Sequence, residues 1–248
     1  MIELRGVSKR FGSRLVLRNV GVTFRPGEVT ALIGPNGSGK TTLLKSIVGL
    51  VQPDTGQIFL NGVPLDGGAW ACRDRIGYLS QVARFPENLT VQELVAMLTM
   101  LRRRAPERLQ ELRTYFRLES VWDKPLRILS GGTRQRVALL LAWMFDPEVL
   151  LLDEPTAGLD PVAAARLKDL ILQERERGKV LLLTTHVLAE VEELADQIVF
   201  LLDGEVHFAG SPEELLLRTG ESTVEGAIVQ LLDAHTGGVL HVDRVIGL

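Results

Sequence analysis

A glycine-rich segment offers the clearest chemistry in this sequence. Residues 34–41 read Gly-Pro-Asn-Gly-Ser-Gly-Lys-Thr and fit the pattern G-x-x-x-x-G-K-[ST]. Glycines let backbone N–H groups converge on phosphate oxygens without a clash from a Cβ atom. Lys40 supplies a positive charge for the β- and γ-phosphates, and the Thr41 hydroxyl is a ligand for Mg²⁺. The residues predicted to hold the nucleotide are Gly34, Asn36, Gly37, Ser38, Gly39, Lys40, Thr41 and Thr42.

An acidic pair gives a second signal of phosphate chemistry. Asp153 and Glu154 end the apolar run Val149-Leu-Leu-Leu152. An acidic residue at the end of a buried strand lies at the carboxyl edge of the sheet, where α/β proteins bind ligands. We expect Asp153 to hold Mg²⁺ through water and Glu154 to polarise an attacking water. Alone, the pair would be interpreted as a solvated strand end, but beside a phosphate loop it indicates catalysis.

A second anion site is predicted at another helix start. Residues 130–136 read Ser-Gly-Gly-Thr-Arg-Gln-Arg and precede an apolar helix. Ser130 is a natural N-cap, and Gly131 and Gly132 expose backbone N–H groups at the positive end of that helix. Capping alone explains Ser130. It does not explain two glycines, which cost about 1 kcal/mol each in a helix.

The elements that must position these residues alternate in type along the chain. We predict strands in the first 24 residues with a bulge near Asn19, a buried strand over 28–33, and a helix over 40–48. Asn61-Gly62 and Asp203-Gly204 predict hairpins. Further strands are predicted at 76–79, 149–152, 180–183, 198–202 and 206–208.

Helix caps divide the remainder of the chain. Residues 91 to about 128 are predicted to be helical, with a capping box at Thr90–Glu93 and Pro106 in a first turn. Asp160-Pro161 predicts another helix start, and Gly178 its end. Capping boxes at Ser211–Glu214 and Ser222–Glu225 predict two short C-terminal helices.

Composition limits the classes of protein. The 248 residues are 46% hydrophobic and carry a net charge of −3, which gives no reason to expect nucleic acid as a partner. The single cysteine, Cys72, fits a reducing compartment such as the cytoplasm. No apolar run reaches the roughly 18 residues of a membrane span. One cysteine, four histidines and no metal-ligand spacing argue against direct binding of metals other than Mg²⁺.

Together the phosphate loop and Ser130-Gly-Gly-Thr-Arg-Gln resemble the ATP-binding-cassette (ABC) ATPases over nearly the whole chain. The resemblance implies an α/β P-loop NTPase fold with a mainly parallel central sheet, an N-terminal antiparallel β subdomain and an inserted helical subdomain at about 91–135. The ATPase domain would span 1–217, followed by a short helical tail over 218–248.

Four more residues match positions of this family. Phe11 matches the aromatic residue that stacks on adenine, although it could also be a simple core residue. Gln81 resembles the glutamine that contacts Mg²⁺ and links to the transmembrane partner. Asp160 resembles the loop that contacts the other protomer, and it also suits a helix N-cap. His186 follows the strand at 180–183 and matches the histidine that contacts the γ-phosphate.

The family also implies an assembly and a partner. Two protomers would pack head to tail, so that each MgATP lies between the phosphate loop of one and Ser130-Gly131-Gly132 of the other. This agrees with the physics, because two anion sites on one chain are complementary across a two-fold axis. A separate integral membrane permease would dock near Gln81 and the 91–128 helices, which would place the chain at the inner face of the cell membrane.

The tail after residue 201 resembles the ABC-2 group, which implies export. The 130–136 and 145–148 stretches also resemble ATPases of the copper-processing systems for nitrous oxide reductase maturation. The basic run Arg102-Arg103-Arg104 is interpreted as a solvated helix face, with contact to the permease or to anionic lipid as the alternative. Another class stays open, a non-transport ABC ATPase that clamps nucleic acid or ribosomes.

Overall fold

The computed structural model describes residues 1–65 and 74–236, and Cys72 and residues 237–248 lie outside that range. Ten strands are described: β1 (Ile2–Phe11), β2 (Arg14–Phe24), β3 (Glu28–Ile33), β4 (Thr55–Leu60), β5 (Val63–Pro64), β6 (Ile76–Leu79), β7 (Val149–Asp153), β8 (Val180–Thr184), β9 (Gln197–Leu202) and β10 (Glu205–Gly210). The described α-helices are α1 (Lys40–Val48), α2 (Val91–Arg102), α3 (Leu109–Tyr115), α4 (Gly131–Trp143), α5 (Pro161–Glu176), α6 (Leu188–Leu194), α7 (Pro212–Thr219) and α8 (Val224–Thr236). Short 3₁₀ turns at Glu119–Val121 and Leu126–Ile128 join α3 to α4.

The strands form two sheets. One is antiparallel in the order β2-β1-β4-β5, and its register shifts between Val7 and Lys9, opposite Asn19, which has a φ of 49°. The other has the order β10-β9-β3-β8-β7-β6, in which only the edge strand β10 runs antiparallel to its neighbour. Both hairpin predictions are confirmed, since Asn61 and Asp203 adopt positive φ in the β4–β5 and β9–β10 turns.

Hydrophobic residues cover both faces of the mainly parallel sheet. In β7, Leu150 and Leu152 point into one buried cluster, whereas Val149 and Leu151 point into the other. This two-sided burial explains why the strand is an uninterrupted apolar run. One face packs against α1 and the antiparallel sheet, and the other packs against α4, α5 and the α2–α3 insertion.

The expected α/β fold, with its mainly parallel sheet, antiparallel N-terminal sheet and helical insertion, is therefore observed. The division of the chain at 217/218 stays a prediction. Within the described ranges, no helix combines the length and the apolar character that crossing a membrane requires.

Two details of the helix predictions are wrong. Pro106 lies in the loop between α2 and α3 rather than in a first turn, because α3 begins only at Leu109. The last helix is capped by Thr223 rather than Ser222, since the Thr223 hydroxyl accepts a hydrogen bond from the Gly226 N–H at 3.1 Å. The other caps, at Thr90, Ser130, Asp160 and Ser211, are confirmed.

Candidate active site

The candidate site lies where four parallel strands end. The loop at 34–39 follows β3, Gln81 follows β6, Asp153 ends β7, and His186 comes two residues after β8. Because these neighbouring strands run parallel, their carboxyl ends share one edge of the sheet. Here they surround a cavity of about 360 Å³, lined by Arg14, Val16, Asn36, Gly37, Gly39, Lys40, Thr41, Thr42, Gln81, Asp153, Glu154 and His186.

The loop backbone requires glycine at two places. Gly34 has a φ of +149°, and a Cβ there would lie 2.0 Å from the Leu201 carbonyl oxygen. Gly39 has a φ of +110°, and a Cβ would lie 2.9 Å from the Val16 carbonyl oxygen. Backbone of β9 and β2 therefore packs directly behind the loop, and no side chain fits there. The Gly204 N–H also donates to the Ser38 carbonyl at 3.0 Å, which ties the β9–β10 turn to the loop.

Lys40 is the buried cation of the loop. It is 8% exposed, and its Nζ donates to the carbonyl oxygens of Gly34 at 2.6 Å and Pro35 at 3.1 Å. Burial lowers the pKa of Lys40, and the nearby carboxylates of Glu154 and Asp153 partly oppose that shift. The buried Ser38 Oγ finds no hydrogen-bond partner among the described residues. The loop therefore offers a cation and an unused hydroxyl to an anion.

Asp153 is held by two hydroxyl groups. Thr41 Oγ1 donates to its Oδ2 at 3.0 Å, and Thr184 Oγ1 donates to its Oδ1 at 2.7 Å. Asp153 is 2% exposed. Carboxylate and hydroxyl oxygens this close together are the hard donors that Mg²⁺ prefers, with phosphate oxygens and water completing its shell. The donor set of Thr41 and Asp153 thus fits Mg²⁺, although the described residues hold no cluster of three or more metal-ligating side chains.

Glu154 points away from Asp153 because its backbone turns. Its φ is 52°, an unusual value for a residue with a side chain, and its N–H is fixed by Thr184. Its Oε1 accepts a hydrogen bond from Gln81 Nε2 at 3.0 Å and lies 2.6 Å from His186 Nε2. These three side chains, drawn from the ends of β6, β7 and β8, form one group at the mouth of the cavity. Gln81 contacts Glu154 through its amide nitrogen, and its role toward Mg²⁺ stays a prediction.

The Ser130 segment lies outside this cavity. Ser130 caps α4 by accepting from the Thr133 N–H at 3.3 Å, and Gly131 has open space around it. A Cβ on Gly132 would lie 2.9 Å from the Gly158 carbonyl oxygen, so α4 packs against the loop that follows Glu154. Asp160 caps α5 at 2.9 Å from the Ala163 N–H and lines a different cavity. The two predicted anion sites therefore lie at separate places on the chain.

Comparisons with known proteins decide the family. Residues 17–157, more than half of the chain, match the ABC transporter family. The chain belongs to this family. Its ATPase domain is similar to the Nod factor export ATP-binding protein I of Burkholderia lata, at 37% identity over 219 residues, which cover 87% of this chain and 72% of the relative. It is also similar to the daunorubicin resistance ATP-binding protein DrrA3 of Streptomyces coeruleorubidus, at 36% identity, and the match covers 98% of this chain and 81% of that relative.

Solved structures agree with this assignment. An ATP-binding subunit of an ABC transporter superposes with a TM-score of 0.88 at 30% identity, covering 94% of this chain and 99% of that one. A dimeric ATP-binding cassette in a post-hydrolysis state, bound to ADP and Pi, gives a TM-score of 0.77 at 28% identity, covering 85% and 98%. This chain is an ABC ATPase, which binds ATP and hydrolyses it.

The structure of this ABC ATPase also shows where the predicted adenine-stacking residue and the basic run lie. Phe11 ends β1 with half of its surface exposed, and Lys9 Nζ lies 5.4 Å from its ring centroid. An exposed aromatic ring is not the core residue that was its alternative interpretation. In the basic run, Arg102 packs over the Phe145 ring at 4.6 Å and Arg104 pairs with Glu107.

Sequence reasoning missed two groups at the site. Thr184 fixes both Asp153 and the Glu154 backbone, and Arg14 and Val16 line the cavity from β2. None of these residues belongs to a motif. Each is far in sequence from the motif residues beside it, so no local pattern in the sequence marks it as part of the site.

Proposed function

We propose that this ABC ATPase is the nucleotide-binding subunit of an exporter and works as a head-to-tail dimer. The supporting observation is the separation of its two anion sites. Lys40, Asp153, Glu154 and His186 share one cavity, whereas Ser130 and its glycines lie outside it. Two such surfaces complement each other across a two-fold axis, and cassettes of similar structure are dimeric.

Within each site the side chains have separate tasks. The loop N–H groups and Lys40 bind the β- and γ-phosphates, and Phe11 stacks on adenine. Thr41, Asp153 and Gln81 would hold Mg²⁺, which neutralises phosphate charge when bound. Glu154 orients water for attack on the γ-phosphorus, and His186, fixed at 2.6 Å from Glu154, contacts the γ-phosphate. Ser130, Gly131 and Gly132 of the second protomer close the site, and Asp160 contacts across the seam.

We propose that ATP hydrolysis moves the two protomers by changing the phosphate charge at their interface. ATP joins the two protomers because both bind its phosphates, and phosphate release removes charge from the seam and lets it open. We propose that a separate integral membrane permease follows this opening and holds the chain at the inner face of the membrane. The proposal of export rests on the Nod factor export and daunorubicin resistance relatives.

A groove next to Gln81 is the proposed docking place for this permease. A cavity of about 700 Å³ lies between the end of β6, α2 and α4. Leu98 and Leu101 line it together with Arg84 and Arg103. Movement of a permease segment here would reach Glu154 through Gln81, whose amide lies 3.0 Å from it.

Two variants test the catalytic part of this proposal. Glu154→Gln should bind MgATP, form an ATP-stabilised dimer on size-exclusion chromatography and lose about 100-fold or more in turnover. Normal turnover in this variant would remove Glu154 from its role. Lys40→Ala should lose nucleotide binding, and tight MgATP binding in it would contradict the assignment of the phosphate loop.

A pull-down from detergent-solubilised membranes tests the biological part. The tagged chain should recover an integral membrane protein, and more of it from Glu154→Gln when ATP is present. Recovery of ribosomal RNA instead would support a clamp on nucleic acid or ribosomes and contradict the transport proposal.

A further inference from the structure

One cation in the nucleotide cavity belongs to none of the motifs. Arg14 begins β2 and lines the same cavity as Lys40 and Asp153. Its Nη2 lies 3.3 Å from the point that a Cβ on Gly37 would occupy. The guanidinium therefore rests on the rim of the phosphate loop, beside a glycine that leaves room for it.

The position of Arg14 within its hairpin relates it to the proposed adenine site. Arg14 stands directly opposite Phe11 in the β1–β2 register. Directly paired residues of antiparallel strands project from the same face of the sheet. Arg14 thus lies between Phe11, which is proposed to stack on adenine, and the loop that is proposed to bind the outer phosphates.

The charges around the cavity favour a role for this cation. Two cationic side chains, Lys40 and Arg14, line this cavity together with the carboxylates of Asp153 and Glu154. Lys40 is buried and bonded to loop carbonyls, whereas Arg14 is exposed and forms no ion pair with any described residue. A guanidinium held by no carboxylate can give its donors to a phosphate, for which its planar fork is well suited.

We infer that Arg14 binds the phosphate chain of the nucleotide on its adenine side, and thereby sets the affinity for nucleoside phosphates without taking part in bond cleavage. This inference rests on the proposed assignment of the site. Lys40 holds the outer phosphates from the base of the loop, and Arg14 holds the chain from the rim.

Affinity measurements with three ligands test this inference. MgATP, MgADP and inorganic tripolyphosphate are titrated into the wild type and into Arg14→Ala by calorimetry. A charge-assisted hydrogen bond at an exposed site predicts that Kd rises about 5- to 10-fold for all three ligands. In ATPase assays KM should rise by a similar factor, with kcat unchanged at saturating ATP. Arg14→Lys should recover part of the affinity, because a point charge replaces the fork.

Arg18→Ala is the matched control. It removes the same charge from an exposed position of the same strand, outside the cavity lining, and should leave all three Kd values unchanged. Wild-type affinity of Arg14→Ala would overturn the inference. Weaker binding of MgATP together with unchanged binding of tripolyphosphate would also overturn it, since Arg14 would then contact the base rather than the phosphates. Lys40→Ala distinguishes a wrong role for Arg14 from a wrong assignment of the nucleotide site. Normal nucleotide binding by Lys40→Ala is expected only if the site itself is assigned wrongly.

Discussion

Burial of the Lys40 ammonium predicts that nucleotide binding depends on pH. Burial lowers its pKa from the ordinary 10.5, whereas a bound phosphate would raise that pKa again. Binding must therefore take up protons at alkaline pH, and affinity should fall as pH rises through the lowered pKa of Lys40. The terminal phosphate, with a pKa of about 6, is already ionised in this range.

Calorimetry between pH 8 and 10 checks this prediction. We expect Kd for MgATP to increase with pH, and the binding enthalpy to depend on the ionisation enthalpy of the buffer because protons are taken up. Lys40→Arg, if it binds, should show a flat profile, since its guanidinium stays charged. A wild-type Kd that does not rise anywhere in the alkaline range in which the protein stays folded would contradict this prediction.

Residue-level chemistry was readable from sequence wherever it is local. The phosphate loop, Asp153 and Glu154 are contiguous motifs, so their positions on a strand end or a helix start followed from pattern alone. Thr184 and Arg14 reach the site through the pairing of β7 with β8 and the packing of β2 behind the loop. Those contacts depend on the tertiary fold, and no spacing in the chain records them.

At the scale of elements, helix starts followed side-chain capping chemistry closely. Thr90–Glu93 and Ser211–Glu214 form the reciprocal hydrogen bonds that their spacing predicts. The prediction at Ser222 was wrong because the next residue, Thr223, carries an equivalent hydroxyl, and the N–H of Gly226 lies within its reach. The sequence pattern shows that a helix cap is present. Where two adjacent residues carry hydroxyl groups, the residue at which the helix begins decides which of them is the cap.

The start of α4 allows folding and function to be separated. Gly131 is helical, and apart from its chain neighbours and the backbone of its own helix no described atom lies within 4 Å of the point that a Cβ there would occupy. Gly131→Ala should therefore not lower the melting temperature, because alanine favours helix by about 1 kcal/mol. If its backbone closes the partner's site, the added methyl blocks the approach of phosphate, and turnover should fall about 10-fold or more. Thermal unfolding and ATPase assays on the same sample check both halves.

Gly132→Ala provides the contrast, since its Cβ would lie 2.9 Å from the Gly158 carbonyl oxygen. We expect a lower melting temperature for this variant. Full ATPase activity in a folded Gly131→Ala would show that this helix start approaches no phosphate.

At the scale of the whole molecule, a buried ion network joins the helical insertion to the core. Arg108, just before α3, donates to Glu174 at 2.5 Å, and Glu174 is fully buried near the end of α5. Lys179 and Arg177 contact the same carboxylate. Removing one partner of a buried charge costs more than the pair contributes when intact, because the remaining charge stays desolvated.

Arg108→Met should therefore lower the free energy of unfolding by roughly 2 kcal/mol, a value reduced by the two cations that remain. Arg104→Met is the control, since the Arg104–Glu107 ion pair is also a close contact but is exposed, and its loss should cost less than about 1 kcal/mol. Urea denaturation measures both. Equal losses in the two variants would show that the buried network does not fix the insertion.

The separation of the two anion sites predicts that two inactive variants restore each other. Lys40→Ala damages the phosphate loop, whereas Ser130→Arg, at an exposed position, removes the α4 cap and blocks the surface offered to the partner but leaves its own phosphate loop intact. Each homodimer then has two broken sites. A mixed head-to-tail dimer has one intact site, built from the loop of the Ser130→Arg protomer and the Ser130 of the Lys40→Ala protomer. ATPase activity of an equal mixture should exceed the sum of the separate proteins and approach about a quarter of wild type if the sites act independently.

Lys40→Ala mixed with Glu154→Gln supplies the control, because both defects lie in the same half of the site and no mixed dimer contains an intact one. That mixture should stay inactive. Recovery of ATPase activity in both mixtures would mean that the recovery does not come from pairing the half-sites of two protomers. Restoration in neither, with mixed dimers demonstrated by native mass spectrometry, would mean that Ser130 does not complete the partner's catalytic centre. The observed distribution of residues favours the first mixture alone, since Lys40 and Glu154 share one cavity and Ser130 lies outside it.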